Sequence, residues 1–286
     1  MANLKEIRNR ISSVSSTMQI TSAMKMVSAA KLKKAQDAIT AMRPYANKLT
    51  ELLQNLSATL DVDSGSKFST QREVNNVLVV AITSNRGLCG AFNSNIIKEV
   101  TRLKSKEYQS KNVSIVAIGK KANDAFKKTS KVVANKSEVF DDLTFENVAE
   151  IAQILMDKFV DGEFDKIELV YNKFKNAATQ EIMTEQFLPI VPVEGDVNAN
   201  VDYIFEPSKI EIVEALIPKA LKTQLYKAIR DSFASEHGAR MTAMHKATDN
   251  ATELRDQLKL TYNKARQAAI TNEILEIVGG AEALNN

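Results

Sequence analysis

The chain has 286 residues, of which 44% are hydrophobic and 26% charged, and its formal net charge is +3. Its length suits about two domains, and nine glycines and five prolines are few enough to favour long helices and strands over a turn-rich fold. A single cysteine, Cys89, excludes an internal disulfide framework and CxxC metal or redox motifs. No apolar run reaches the ~18 residues of a membrane span and no signal peptide is visible, so we expect a soluble, cytoplasmic protein.

The first segment, residues 1–60, is predicted to form one long helix. Pro44 is the only proline there, and no glycine precedes Gly65. Apolar and small residues recur at steps of three and four, which is the heptad spacing of a helix that packs along a partner helix: Leu4, Ile7, Ile11, Val14, Met18 and Thr21. Residues 1–48 hold nine Lys and Arg against two Asp and Glu, a net charge of +7. This helix is therefore the basic part of the chain.

The middle segment, residues 74–206, alternates apolar strands with amphipathic helices. This order predicts a doubly wound, mostly parallel sheet covered by helices on both faces, an α/β domain. The predicted strands are 76–83, 112–119, 131–134, 166–172 and 181–188, with 203–206 as a candidate edge strand. The predicted helices are 91–108, 120–127 and 144–160.

The loop "SNRGLCGAFN", residues 84–93, joins the first predicted strand to the first helix of this domain. Its position and glycines are those of a phosphate-binding turn, but it fits neither G-x-G-x-x-G nor G-x-x-x-x-G-K-[ST]. The favoured interpretation is architectural: Gly87 and Gly90 permit a tight turn, and Cys89 is a small apolar plug. A nucleotide site here is the weaker alternative.

The last segment, residues 208–286, is predicted to be a second long helix. Ser208 can cap its start, with Glu211 reaching back, and Pro218 is expected to bend it. Its heptad pattern is rich in small residues: Met244, Ala247, Ala251, Leu254, Leu258, Thr261, Ala265 and Ala268. The middle domain returns the chain, so we expect this helix to pair antiparallel with residues 1–60 in a coiled coil.

Other candidate chemistry is weak. His237 and His245 are eight residues apart without an HExxH motif, and both are expected to be exposed helix residues. The acidic stretch 140–147 is typical of a helix start, and the basic run 31–34 has no aromatic interleaving for nucleic acid. We therefore expect no catalytic residue, no metal, no cofactor, no small-molecule substrate and no nucleic-acid partner.

Five separated motifs resemble the gamma subunit of F-type ATP synthases of the bacterial kind. They are "MKMVSAAKLKKAQ" (24–36), "TSNRGLCGAFN" (83–93), "SEHGARMTAMHKATDNA" (235–251), "YNKARQAAIT" (262–271) and "ITNEILEIVGGAEAL" (270–284). The resemblance implies a non-catalytic rotor shaft. Such a shaft transmits torque from the proton-driven membrane ring to three catalytic beta subunits, and so couples proton flow to ATP synthesis or hydrolysis.

The resemblance also implies partners and a location. They are three alpha and three beta subunits, an epsilon subunit and the membrane c-ring, at the cytoplasmic face of a bacterial plasma (inner) membrane. The untrimmed Met1 favours a bacterial protein over a mature mitochondrial one.

The implied contact residues form three groups. Beta-subunit contacts are assigned to Met24, Lys25, Lys31, Lys33, Lys34, Arg240, Arg266 and Gln267. A bearing at the tip of the last helix is assigned to Leu275, Ile277, Val278, Ala281 and Leu284, and contact with the membrane ring to Tyr203, Phe205 and Glu206.

Two rival functions remain open from the sequence. A free coiled-coil scaffold would self-associate through its long heptad surfaces, and sedimentation as a monomer would count against it. A nucleotide-dependent enzyme would have to bind nucleotide tightly through the 84–93 loop.

Overall fold

The computed structural model describes residues 4–58, 67–190 and 209–285. The chain forms two compact units, Ala29–Arg240 and a second unit made of Met1–Ser28 with Met241–Asn286. Both long helices, α1 (Leu4–Ala58) and α5 (Lys209–Asn285), contribute to each unit. Among the described residues, no helix combines the length and the hydrophobicity of a membrane span.

The unit Ala29–Arg240 is built on a five-stranded sheet in the order β3-β2-β1-β4-β5. The strands are β1 (Asn76–Ile82), β2 (Asn112–Ile118), β3 (Lys131–Asn135), β4 (Lys166–Phe174) and β5 (Gln180–Leu188). The first four run parallel, and β5 is an antiparallel edge strand paired with β4. The predicted doubly wound, mostly parallel sheet is confirmed.

Helices cover both faces of this sheet. The helices of the segment are α2 (Phe92–Arg102), continued by a π-helical turn at Leu103–Glu107, then α3 (Lys120–Phe126), a 3-10 turn at Ser137–Phe140, and α4 (Phe145–Val160). One apolar core lies under α2 and α3, and the other lies under α4 and the 217–229 part of α5. Strand β1 is central and buried on both faces, so its apolar run is continuous.

Helix α4 shows how the sequence sets a helix start. Thr144 adopts an extended backbone, and its side chain accepts a hydrogen bond from the backbone N–H of Asn147. Glu146 follows in the first turn, where the helix dipole favours a negative charge. The acidic stretch 140–147 is thus helix-start chemistry, as predicted.

The helical unit pairs the start of α1 with the end of α5 in antiparallel fashion. The Arg8 guanidinium donates to the Tyr262 hydroxyl at 2.9 Å, and Thr252 donates to the Met18 sulfur at 3.3 Å. Further along α1, the hydroxyls of Thr21 and Thr248 hydrogen-bond at 2.8 Å. Residue numbers rise on one helix as they fall on the other, which confirms the predicted antiparallel coiled coil.

The buried stripe of α5 differs in part from the predicted one. Met244 and Ala251 are buried as predicted, but Leu254 is 47% exposed, and Thr261 and Ala268 are exposed as well. The half-buried positions that replace these three lie one residue later in the chain: Arg255, Tyr262 and Ala269. The prediction was wrong at those three positions because it counted small and apolar side chains. Arg255 and Tyr262 instead pack their apolar stems and bond across the pair.

The observed elements match the predicted ones closely. Three strands are longer than predicted: β3 continues to Asn135, β4 continues to Phe174, and β5 begins at Gln180. The candidate strand 203–206 and the cap at Ser208 lie outside the described residues. The division into 1–60, 74–206 and 208–286 stays a prediction, because the compact units divide the chain within the two long helices.

Candidate functional site

The end of helix α5 is an exposed apolar surface, called here the tip segment, residues 270–281. Every residue of this segment is exposed. The predicted bearing residues Leu275, Ile277 and Val278 are 62%, 71% and 55% exposed. The side chain of Leu284 lies outside the described part. Large apolar side chains exposed together along a helix indicate a surface for another protein.

Arg266 and Gln267 precede the tip segment on the same helix, and both side chains are exposed. The backbone carbonyl of Gln267 accepts a hydrogen bond from the Thr271 hydroxyl at 2.9 Å, so it is occupied within the helix. The planar guanidinium of an exposed arginine suits a carboxylate on a partner.

The predicted contact residues of α1 are placed in two different ways. Met24 and Lys25 are half-buried, and the Met24 carbonyl accepts a hydrogen bond from Ser28 at 2.7 Å. Lys31 and Lys33 are exposed, and Lys33 pairs with Asp37 at 2.9 Å. An exposed pair one helical turn apart contributes only ~0.3–0.5 kcal/mol, so it leaves Lys33 free to change partners.

Arg240 is buried, unlike the other predicted contact arginine. Its side chain is only 9% exposed, and it forms a salt bridge with Glu236 one turn earlier on α5. The same guanidinium donates to the backbone carbonyls of Arg86 at 3.2 Å and Gly87 at 3.3 Å. Arg240 therefore fastens α5 to the loop that follows β1.

That loop is held in one conformation from inside. The Ser84 hydroxyl donates to the Arg86 carbonyl at 2.6 Å, and its backbone N–H donates to the Asn93 side chain at 2.9 Å. Cys89 is 1% exposed, which confirms it as an apolar plug. Gly90 has φ +58, as the predicted tight turn requires.

Leu88 is an exposed apolar residue of this loop that was not among the residues singled out from the sequence. It has φ +62, which is rare for a side chain of this size, and it is 66% exposed. The signal that could have found it is an apolar residue between two loop glycines.

His237 was predicted to be exposed, and that prediction is wrong. It is 5% exposed, and its ring meets the edge of Phe233 with centroids 4.5 Å apart. The error arose because charged and polar residues surround it in sequence, whereas residues 231–240 of α5 are almost all buried inside the unit. His245 is exposed, as predicted, and lies 3.1 Å from Asp249.

Burial governs the ionisation of the groups around Arg240. The pKa of His237 is lowered to about 4, chiefly by burial and also by the positive charges of Arg240 and Lys31. Burial raises the pKa of Glu236 despite its bond to Arg240, and it also raises the pKa of the Cys89 thiol. Lys31 was predicted to contact the beta subunit and is exposed. Its positive charge also acts on two buried groups, since it favours a lower pKa for both Glu236 and His237.

Within residues 4–58, 67–190 and 209–285, no group of three His, Cys, Asp or Glu could hold a metal ion. Tyr203, Phe205 and Glu206, predicted to contact the membrane ring, lie outside the described residues.

Comparison with known proteins gives a consistent result over the whole chain. The model of a family described as ATP synthase matches residues 3–284. The ATP synthase gamma chain of Flavobacterium psychrophilum is 77% identical over 285 residues, covering 99% of each chain. That of Flavobacterium johnsoniae is 76% identical over 286 residues, covering 100% of each.

Solved structures agree with this result. The central stalk and c-ring structure of Tetrahymena thermophila mitochondrial ATP synthase contains a chain with a TM-score of 0.60 and 27% identity, covering 80% of this chain and 99% of that one. A chain of the Euglena gracilis mitochondrial enzyme, in a structure of OSCP, F1 and c-ring, has a TM-score of 0.66 at 21% identity. It covers 98% of this chain and 94% of that one, and at this identity it supports the fold.

Proposed function

Because this chain belongs to the ATP synthase gamma chain family, a non-catalytic part of the central stalk, we propose that it transmits torque through its antiparallel helix pair. The observation that carries the proposal is the tip segment, an exposed apolar helix end at the far end of a paired helix. A shaft that turns inside a ring cannot use a deep, specific interface at every angle. Exposed apolar residues without fixed polar partners suit such a sliding contact.

We propose three alpha and three beta subunits as the ring around the helix pair, with an epsilon subunit and a membrane c-ring as further partners. The similar solved structures are those of a central stalk with its c-ring, of OSCP, F1 and c-ring, and of a rotor. The membrane concerned is proposed to be the bacterial inner membrane, with this subunit peripheral at its cytoplasmic face. Turning of the ring by proton flow would then drive the three beta sites in sequence.

We assign the specific contacts with the beta subunits mainly to charged residues. The net charge of +7 on residues 1–48 complements acidic loops of a partner, and Lys31 and Lys33 are exposed for that purpose. Arg266 is the proposed partner of a carboxylate near the tip, with Gln267 beside it. Met24 and Lys25, which are half-buried on α1, are proposed to contact the same acidic loops at the edge of the helix pair. Arg240 is proposed to act by holding the loop after β1.

Reconstitution with the alpha and beta subunits of the host tests this function. We expect a stoichiometric complex whose ATPase depends on this chain and falls when residues 270–286 are removed. Arg266→Ala is expected to weaken binding to the alpha and beta subunits by about 2 kcal/mol, which is roughly a thirtyfold loss of affinity, as for a partly buried interfacial charge pair. Arg102→Ala is the matched control, because Arg102 is also an exposed helix arginine but pairs with Glu99 of its own helix.

Three results would contradict the proposal. The first is that no complex forms. The second is that Arg102→Ala and Arg266→Ala have equal effects. The third is that the isolated chain binds nucleotide tightly, which would return the question to the 84–93 loop.

A further inference from the structure

Doubly wound sheets bind their ligands in a crevice at the carboxyl ends of their strands. We propose that helix α5 fills this crevice here, and that the resulting contact, called the clamp, transmits torque from the sheet to the helix. The clamp consists of residues 235–240 of α5, the loop 84–90 and the end of β4. The mechanical part of the inference rests on the proposed shaft function. The clamp itself follows from the contacts alone.

The position of the clamp comes from the strand order. From β1 the sheet continues to β2 on one side and to β4 on the other, so the direction of winding changes between β1 and β4. In open α/β sheets the ligand site lies outside the carboxyl ends of the strands at this switch point. The loop 84–90 and residues 175–177, which follow β4, leave the sheet there.

Helix α5 contacts the β4 side of this crevice closely. The Ser235 hydroxyl donates to the Asn172 carbonyl at 3.0 Å, and both residues are buried. At Gly238 an added Cβ would lie 3.2 Å from the Ala177 carbonyl oxygen. The lack of a side chain at Gly238 therefore lets the helix backbone approach the turn after β4.

The β1 side is held by charge. The Arg240 guanidinium donates to the carbonyls of Arg86 and Gly87 and is neutralised by Glu236. A phosphate site in this loop would need backbone N–H groups aimed at the ligand. Here the loop instead offers carbonyl oxygens to an arginine of the same chain, which is an arrangement that repels an anion and holds a helix.

The place of the clamp along α5 gives it a mechanical meaning. Arg240 is the last residue of α5 within the sheet-containing unit, and Met241 begins the helical unit. Contacts further back, from Ile217 to Ile229, are mainly apolar and non-directional, although the Gln224 side chain there also donates to Glu185 at 2.7 Å and to the Gln186 carbonyl at 3.2 Å. The hydrogen bonds of Ser235 and Arg240 lie away from the helix axis and are directional, so they resist rotation of α5 about its own axis.

Hydrogen exchange on the full chain tests the contact. Ser235→Ala should raise the exchange rate of amides in residues 84–90 and 172–177 about fivefold, the effect of one lost hydrogen bond. Thr223→Ala is the matched control, since Thr223 is also a buried α5 hydroxyl but donates to Lys219 of its own helix. Equal protection of those two segments in both variants would overturn the clamp.

A rotation measurement on the reconstituted complex tests the mechanical part. A probe attached to strand β3 reports the torsional stiffness between the sheet and the ring of alpha and beta subunits. We expect the stiffness to fall for Ser235→Ala and for Gly238→Ala, and to stay unchanged for Thr223→Ala. Equal stiffness in all variants, with normal rotation, would overturn the clamp and leave the shaft function intact. Failure of the unmodified chain to rotate at all would overturn the shaft function and the mechanical inference together.

Discussion

His237 makes the stability of the sheet-containing unit depend on pH. Its ring is buried, and neither ring nitrogen has a hydrogen-bond partner among the described residues. The pKa of His237 is about 4 in the folded protein, against ~6.5 for a histidine in an unfolded chain. Because the folded pKa is depressed, the contribution of His237 to stability is complete above about pH 6.5 and is lost as the pH falls toward 4.

The size of this effect follows from the two pKa values. For one group with these values, the free energy of unfolding falls by about 2 kcal/mol between pH 7 and pH 4.5. Glu236 and Asp231 oppose the effect, because burial raises their pKa values and their contributions are lost as the pH rises. A variant that lacks only the imidazole isolates the histidine from these carboxyls.

His237→Phe is that variant, since phenylalanine keeps an aromatic ring against Phe233 and needs no hydrogen bond. Urea unfolding of both proteins at pH 7 and pH 4.5 gives the difference in stability at each pH. We expect the variant to gain about 2 kcal/mol on the wild type as the pH is lowered. NMR titration of the Cε1 proton gives the pKa directly, with His245→Gln to assign the resonances. A midpoint near 6.5, or the same stability difference at both pH values, would refute the reasoning.

Three further predictions concern stability, each measured by urea unfolding of the full chain. Gly119→Ala should cost on the order of 3 kcal/mol, because Gly119 has φ +109 and its Cβ would lie 2.3 Å from the Thr83 carbonyl oxygen; a neutral result would contradict that geometry. Tyr108→Phe should cost about 1–3 kcal/mol by removing a 2.7 Å hydrogen bond to the buried Glu168, and an unchanged midpoint would show that water replaces the phenol. Thr144→Ala should cost about 1 kcal/mol through the lost N-cap of α4, whereas Thr144→Ser should restore most of it if capping is the cause.

The sheet was predictable from the sequence because its three central strands, β1, β2 and β4, are largely buried on both faces. A continuous apolar run such as 77–82 permits few other structures when a glycine-containing loop follows it. The heptad spacing of the first helix likewise identified a pairing helix. In both cases each residue contributes to the pattern through its own hydrophobicity, so the pattern is local.

The errors lie where polar side chains are buried. The His237 ring is buried and packs on Phe233, one turn earlier on α5. Arg240 is buried because its guanidinium donates to the carbonyls of Arg86 and Gly87, which lie far away in sequence. Along α5, Leu254 was predicted to face the partner helix, but Arg255 does so with its stem packed and its guanidinium near Met18. Spacing alone cannot tell an arginine that packs along its stem from one that points into solvent.

The candidate contact residues were found through the resemblance, and the structure gives them different environments. Ile277 and Val278 are exposed, as a bearing requires, whereas the Arg240 guanidinium hydrogen-bonds within its own chain. Periodicity would have extended the paired stripe through residues 270–281. The partner helix ends at Leu4 in the described chain, so nothing on α1 opposes them.

The hydroxyl pair of Thr21 and Thr248 has a consequence for the length of helix that is left without a partner. Small seam residues such as Ala251 and Ala265 would pack almost equally well after a slip of one heptad, which is a shift of about 10 Å along the helix. Such a slip would separate the two threonines and also part Arg8 from Tyr262. These polar contacts select one alignment, much as a single buried polar residue does in a leucine zipper. They therefore determine how many turns of α5 extend past the start of α1.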